Sequence, residues 1–129
     1  MSASFVDTNI FIEIFTRFGK KSDLCKKLLD EAENLCTSDL VFSEVEWVLR
    51  SFYELPKKDV ILCLEKILRL DVYIDSKKIL IQALECYTQN SVDWTDCLNM
   101  FLMKEEGVTN VYSYDRGLSK FDWINRLEP

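Results

Sequence analysis

An apolar run that meets a lone acid and continues at once into helical periodicity constrains this chain more than anything else in it. The stretch is Ser4-Phe5-Val6-Asp7-Thr8-Asn9-Ile10-Phe11-Ile12-Glu13-Ile14-Phe15. The first residues suit a short strand, and Ile10, Phe11, Ile14 and Phe15 recur at helical spacing. Strand, turn and helix in that order are the opening of an open α/β sheet, whose ligands bind at the carboxyl ends of the strands. Asp7 stands on that rim. The same carboxylate suits the N-cap of the following helix, and the stretch by itself leaves both roles open.

The pattern continues in alternation. A second helix is expected from a cap at Ser22 or Asp23 to about Asn34, with Leu24, Leu28 and Leu29 inward. A short strand follows at Leu35-Cys36-Thr37. Ser38 or Asp39 then opens a third helix, from Leu40 to about Tyr53. Pro56 fits the first turn of a fourth, reaching about Arg69. Val72-Tyr73-Ile74 is a third strand, and a fifth helix spans about Ser76 to Thr88 with Ile79, Leu80, Ala83, Leu84 and Tyr87 buried. A sixth begins after Asp93 and closes at Gly107. Val111-Tyr112-Ser113-Tyr114 is a strand ending in Asp115, and residues 123–127 form a final edge strand or tail. The class is α/β. With 129 residues, 48% of them apolar, the chain has the size of one domain, 1–129, with a real core. No apolar run approaches the ~20 residues of a membrane span, and no secretory signal layout opens the chain. A cytoplasmic protein is expected.

The chain has no histidine. That removes Ser-His-Asp and Cys-His nucleophile machinery and His-ligated zinc. Cys25, Cys36, Cys63, Cys86 and Cys97 are odd in number, dispersed and never in C-x-x-C spacing, which argues against a disulfide framework or a zinc cluster. Three scattered glycines cannot build a phosphate-cradling loop. A net charge of −6 is not that of a general nucleic-acid binder. Hydrolytic chemistry here must come from carboxylates and a hard metal.

Four acids fit that requirement. On the third helix Glu44 projects inside an apolar arc that includes Leu40, Val41, Trp47 and Val48, whereas Glu46 and Arg50 fall in the polar gap. A charge among apolar neighbours is costly unless it is paired or holds a metal. Asp93 and Asp96 open the sixth helix, where capping accounts for Asp93. It accounts less well for Asp96, which projects between Met100 and Met103. Asp115 repeats the strand-then-acid layout of Asp7. If Asp7, Glu44, Asp96 and Asp115 converge, their mutual repulsion calls for Mg²⁺ or Mn²⁺, and one or two such ions can activate water against a phosphodiester.

Phe5-Val6-Asp7-Thr8-Asn9, the isolated Glu44, Thr95-Asp96-Cys97-Leu98 and Tyr112-Ser113-Tyr114-Asp115 follow in the order and spacing of the PIN-domain nucleases. The chain resembles in particular the toxin, VapC-type, half of a toxin–antitoxin pair, over nearly its whole length. The resemblance implies a three-layer α/β/α fold with a central parallel sheet of four to five short strands. It implies that Asp7, Glu44, Asp96 and Asp115 are the catalytic, metal-binding acids. Asn9 would organise the loop beside Asp7, Ser113 the strand end before Asp115, and Asp93 would support or cap. It further implies Mg²⁺ or Mn²⁺ as cofactor, cleavage of RNA, a homodimer, and silencing by a protein antitoxin. Cys97 stands where the family prefers alanine. Arg116, Arg50 and Lys120 are candidates to hold the RNA backbone, with Arg17, Lys20 and Lys21 further away.

Two other classes share parts of this pattern. A PIN-like module without catalysis would keep the fold and use its acids for metal-dependent assembly or partner docking. A phosphoacceptor signalling domain would share the size and the acidic pocket, but it pairs two adjacent acids near the first strand, and Asp7 has no acidic neighbour.

Overall fold

A computed structural model describes residues 2–129 and divides them into two compact units, one up to Lys77 and one from Lys78 onward. The first unit is built on short parallel strands: β1 (Ser4–Phe5), β2 (Leu35–Thr37) and β3 (Val72–Ile74), hydrogen-bonded in the order β1-β2-β3. Parallel neighbours need crossover connections. Here these are helices: α1 (Thr8–Thr16) and α2 (Lys20–Glu31) between the first two strands, α3 (Asp39–Trp47) and α4 (Lys57–Arg69) between the next two. Between α3 and α4 the chain widens into a π-helical turn, Val48–Phe52. The core of this unit holds Val6, Phe11, Phe42, Val45, Leu49, Val60 and Leu64.

The second unit carries α5 (Lys77–Gln89), from its second residue on, α6 (Trp94–Glu105), and β4 (Asn110–Tyr112) paired in parallel with β5 (Asn125–Leu127). A 3₁₀ turn, Arg116–Lys120, lies between those strands. Tyr87 of α5 meets Trp94 of α6 edge to face at 5.8 Å, and Phe101, Phe121 and Trp123 form a second aromatic cluster capped by the Lys104 ammonium 4.3 Å from the Trp123 ring. Gly107, at φ 75°, ends α6 in the left-handed conformation that favours glycine.

The chain is thus α/β with parallel strands, five among the described residues, as expected for a PIN-like fold. Their hydrogen bonds group them as three in the first unit and two in the second. The expected bounds of β2, β3 and α5 hold closely, and the tail is a strand, β5. Two local expectations fail. The second helix starts at Lys20 on Gly19, whose φ of 115° only glycine adopts easily, and Ser22 is no cap. Fully buried, Ser22 donates its hydroxyl to the Glu13 carbonyl at 3.2 Å, fastening α2 to α1. That phase turns Cys25 and Leu29 inward and leaves Leu24 58% exposed, with Leu28 also at the surface. No helix among the described residues is long and apolar enough to cross a membrane.

Candidate functional site

Asp7 follows β1 directly. Its Oδ1 accepts from the Thr8 N–H at 2.8 Å and caps α1, so the capping role open in the sequence is realised. The carboxylate remains exposed, with its second oxygen clear of that cap bond. The strand end beneath it is held from the neighbouring strand: buried Thr37 donates its hydroxyl to the Val6 carbonyl at 2.8 Å, and the Val6 N–H donates to the Cys36 carbonyl at 2.8 Å. Thr37 supplies a side-chain bond that holds this turn, while Asn9 lies inside the first turn of α1 with an exposed side chain. A threonine at the end of a buried strand is the signal that could have found it.

The expected placement on α3 is reversed. Ser38 caps the helix through the Val41 N–H at 3.1 Å, and the phase is set by Val41, Phe42, Val45 and Leu49, all buried. Glu46 rides on the flank of that face and is 1% exposed. Its carboxylate takes Arg50 Nε at 2.7 Å and Nη2 at 3.4 Å, the ion pair that a buried charge requires. Glu44 is exposed, and so are its apolar neighbours on one side, Leu40 at 74% and Trp47 at 57%. Arg50 accordingly serves Glu46, which counts against it as a contact for RNA.

In the second unit the structure gathers three of the predicted acids. Asp93, Asp96 and Asp115 line one cleft of about 180 Å³ together with Ser91, Gly117 and Lys120. Asp93 occupies the N-cap position of α6, yet its side chain makes no capping hydrogen bond; only its backbone carbonyl does, accepting from Cys97 N–H at 3.0 Å. Capping therefore does not consume its carboxylate. Asp115 is fixed from two directions. Its Oδ1 accepts from Gly117 N–H at 2.8 Å, and its own N–H donates to Ser113 Oγ at 3.0 Å. A Cβ on Gly117 would stand 3.0 Å from that oxygen, so the turn favours a residue without one.

Asp96, on the first turn of α6 and half-buried, is the perturbed member. Burial pushes its carboxyl above the ordinary range. The charges of Asp115 and then Asp93 push the same way, as does a side-chain hydrogen bond with Asp115 that favours the protonated acid. Like charges crowded in a cleft are the condition that a divalent cation relieves. The donor chemistry fits Mg²⁺ or Mn²⁺, since the side chains are carboxylates and histidine is absent from the chain. Among the described residues, no three acidic or thiol groups already stand close enough to cage an ion. Of the basic candidates, Arg116 begins the 3₁₀ turn and is exposed, whereas Lys120 ends it and donates to Ser91 Oγ at 2.7 Å. Ser91 was not foreseen, and nothing in its local sequence marks it.

Comparison with known proteins places these observations in a family context. The family model described as PIN domain matches residues 4–124. No curated protein matches the sequence. Among solved structures, the crystal structure of Mycobacterium tuberculosis VapC20, a toxin that cleaves the sarcin-ricin loop, is 18% identical over 97% of this chain and 98% of that chain, with a TM-score of 0.44.

Proposed function

The chain belongs to the PIN-domain family, and from that premise we propose that it is a metal-dependent endoribonuclease, the toxin of a toxin–antitoxin pair. The observation that carries this reading is the family match, which runs through 4–124 and so supports treating residues 1–129 as one nuclease domain. PIN domains are, as a family, nucleases. The finer assignments rest on the sequence motifs: Asp7, Glu44, Asp96 and Asp115 as metal-binding acids, Mg²⁺ or Mn²⁺ as cofactor, RNA as substrate, and a protein antitoxin and a second copy of the chain as partners in the cytoplasm.

When bound, the ion supplies Lewis acidity to the attacking water and offsets the charge of the phosphodiester. The chain's own residues do the rest. Gly117 and Ser113 hold the Asp115 carboxylate and its backbone in one orientation, so that little ordering remains to be done when substrate arrives. Thr37 and the Thr8 N–H do the same for Asp7. Asp93 and Asp115 keep Asp96 in a field that disfavours its bare charge, which raises its demand for a cation.

The test is cleavage of single-stranded RNA by the purified protein with Mn²⁺, with EDTA, and by Asp7→Asn and Asp96→Asn. Cleavage that EDTA and either substitution abolish is expected, with folding intact by circular dichroism. Cleavage surviving in the variants or in EDTA would refute the reading. Metal binding without cleavage of any RNA would instead favour the silent PIN-like module.

A further inference from the structure

The cleft that gathers Asp93, Asp96 and Asp115 has the wrong sign for a polyanion, in a chain whose net charge is already −6. Among the described residues lining it, Lys120 is the only cation. Its partner is not one of the three carboxylates but the neutral hydroxyl of Ser91, at 2.7 Å. The side chain is exposed, while its backbone is anchored on both sides by buried residues, Leu118 two positions before it and Phe121 just after it. Ser91 lies two residues ahead of Asp93, and the turn that ends in Lys120 begins right after Asp115. The hydroxyl therefore bridges the two segments that carry the acids. An ammonium has three donor hydrogens, and one bond to Ser91 leaves charge and donors available. Chain anchoring and the Ser91 bond also reduce the rotamer entropy that a free surface lysine would lose on meeting a ligand.

We infer that Lys120 binds a backbone phosphate of single-stranded RNA at the edge of the carboxylate cleft, and that Ser91 is the positioning residue that aims its ammonium. The inference deepens the nuclease reading and rests on it: the lysine supplies the attraction for phosphate that the acids lack. Arg116 and Arg50 have no such placement, the one being an exposed residue at the start of the turn and the other paired with Glu46.

The probe is a short fluorescein-labelled single-stranded RNA of mixed sequence, with binding followed by anisotropy in EDTA, where nothing is cut, over a series of salt concentrations. Losing one phosphate contact should shallow the slope of log K against log salt by about 0.7. Lys120→Met should show that change and bind several-fold more weakly, and Lys120→Arg should keep both values near wild type. Ser91→Ala should weaken binding with the charge unchanged, and Ser91→Thr should restore it. Melting shifts on adding Mn²⁺ should be at least as large in Lys120→Met as in wild type, because the lysine opposes a cation rather than holding it. An unchanged salt slope in Lys120→Met, or Ser91→Ala binding like wild type, would overturn the inference. Failure of the nuclease reading shows separately, as RNA cleavage that persists in Asp96→Asn.

Discussion

Asp96→Asn should make the metal-free protein more stable at neutral pH while removing its proposed activity. The reasoning starts from the direction of the Asp96 shift. Its carboxyl is raised in the folded chain by burial, by Asp115 and by Asp93, so the folded state holds this proton more tightly than the unfolded state does. A raised acid contributes stability that is fully present below the ordinary carboxylate pKa and is lost as pH rises through the raised value. Above that window the ionised Asp96 is a net cost to the fold. Asparagine keeps the shape, cannot ionise, and can donate an amide hydrogen toward Asp115. Relieving an electrostatically strained functional site of this kind is worth about 0.5–2 kcal/mol. With an unfolding entropy of roughly 2.1 cal/mol/K per residue, each 1 kcal/mol is ~4 °C in Tm for a chain of this length. The assay is thermal melting of both proteins in EDTA from pH 3 to pH 8. The variant should melt ~2–8 °C higher at pH 7, with the gap closing toward pH 3. Saturating Mn²⁺ should then invert the order, since a ligand at 100 times its Kd stabilises the state that binds it by ~2.7 kcal/mol. A variant that melts lower in EDTA at pH 7, or a gap that does not depend on pH, would refute the account of the cleft.

Three further substitutions test the supports of the acids. Thr37→Val keeps the volume but leaves the buried Val6 carbonyl without its 2.8 Å partner, and should cost about 1–3 kcal/mol in urea unfolding; an unchanged midpoint would show that Thr37 does not hold the Asp7 turn. Gly117→Ala puts a methyl 3.0 Å from Asp115 Oδ1 and should break the bond from Gly117 N–H, reducing kcat/KM on RNA by about tenfold for about 1.4 kcal/mol lost, with Tm nearly unchanged; full activity would mean that the carboxylate needs no such restraint. Ser38→Ala removes the cap bond to Val41 N–H and should lower Tm by ~4 °C at a cost of about 1 kcal/mol; a loss of RNA cleavage at temperatures well below Tm would contradict its purely structural role.

Most of the fold was legible because strand and helix announce themselves by short-range patterns. Leu35–Thr37 and Val72–Ile74 are apolar runs bounded by helix ends, and of the face expected on α5 the structure buries Leu80, Ala83, Leu84 and Tyr87 and leaves Ile79 half-buried. The errors fall where the phase of a helix depends on something outside its own sequence. In α2 a glycine at φ 115° moved the start back and turned Leu24 outward. In α3 counting apolar residues admitted Leu40 and Trp47 to a core they do not join, which placed Glu44 inside and Glu46 outside. The long-range contact of Lys120 with Ser91 was invisible, because no periodicity relates the two.

Glu46 and Asp96, both withdrawn from solvent, carry different physical meanings. Glu46 is buried against the apolar face of α3 and is neutralised by Arg50 in the π-helical turn that follows, so its burial is a solved structural problem that asks for no ligand. Asp96 is less buried and less protected. The groups nearest to it in charge are Asp115 and Asp93, both acids, while the cation of the same cleft is bonded to Ser91 instead. Asp93 adds to this imbalance because its carboxylate declines the cap that would have employed it. A buried acid is therefore the weaker indicator of function in this chain. The stronger one is an acid whose nearest charged neighbours share its sign.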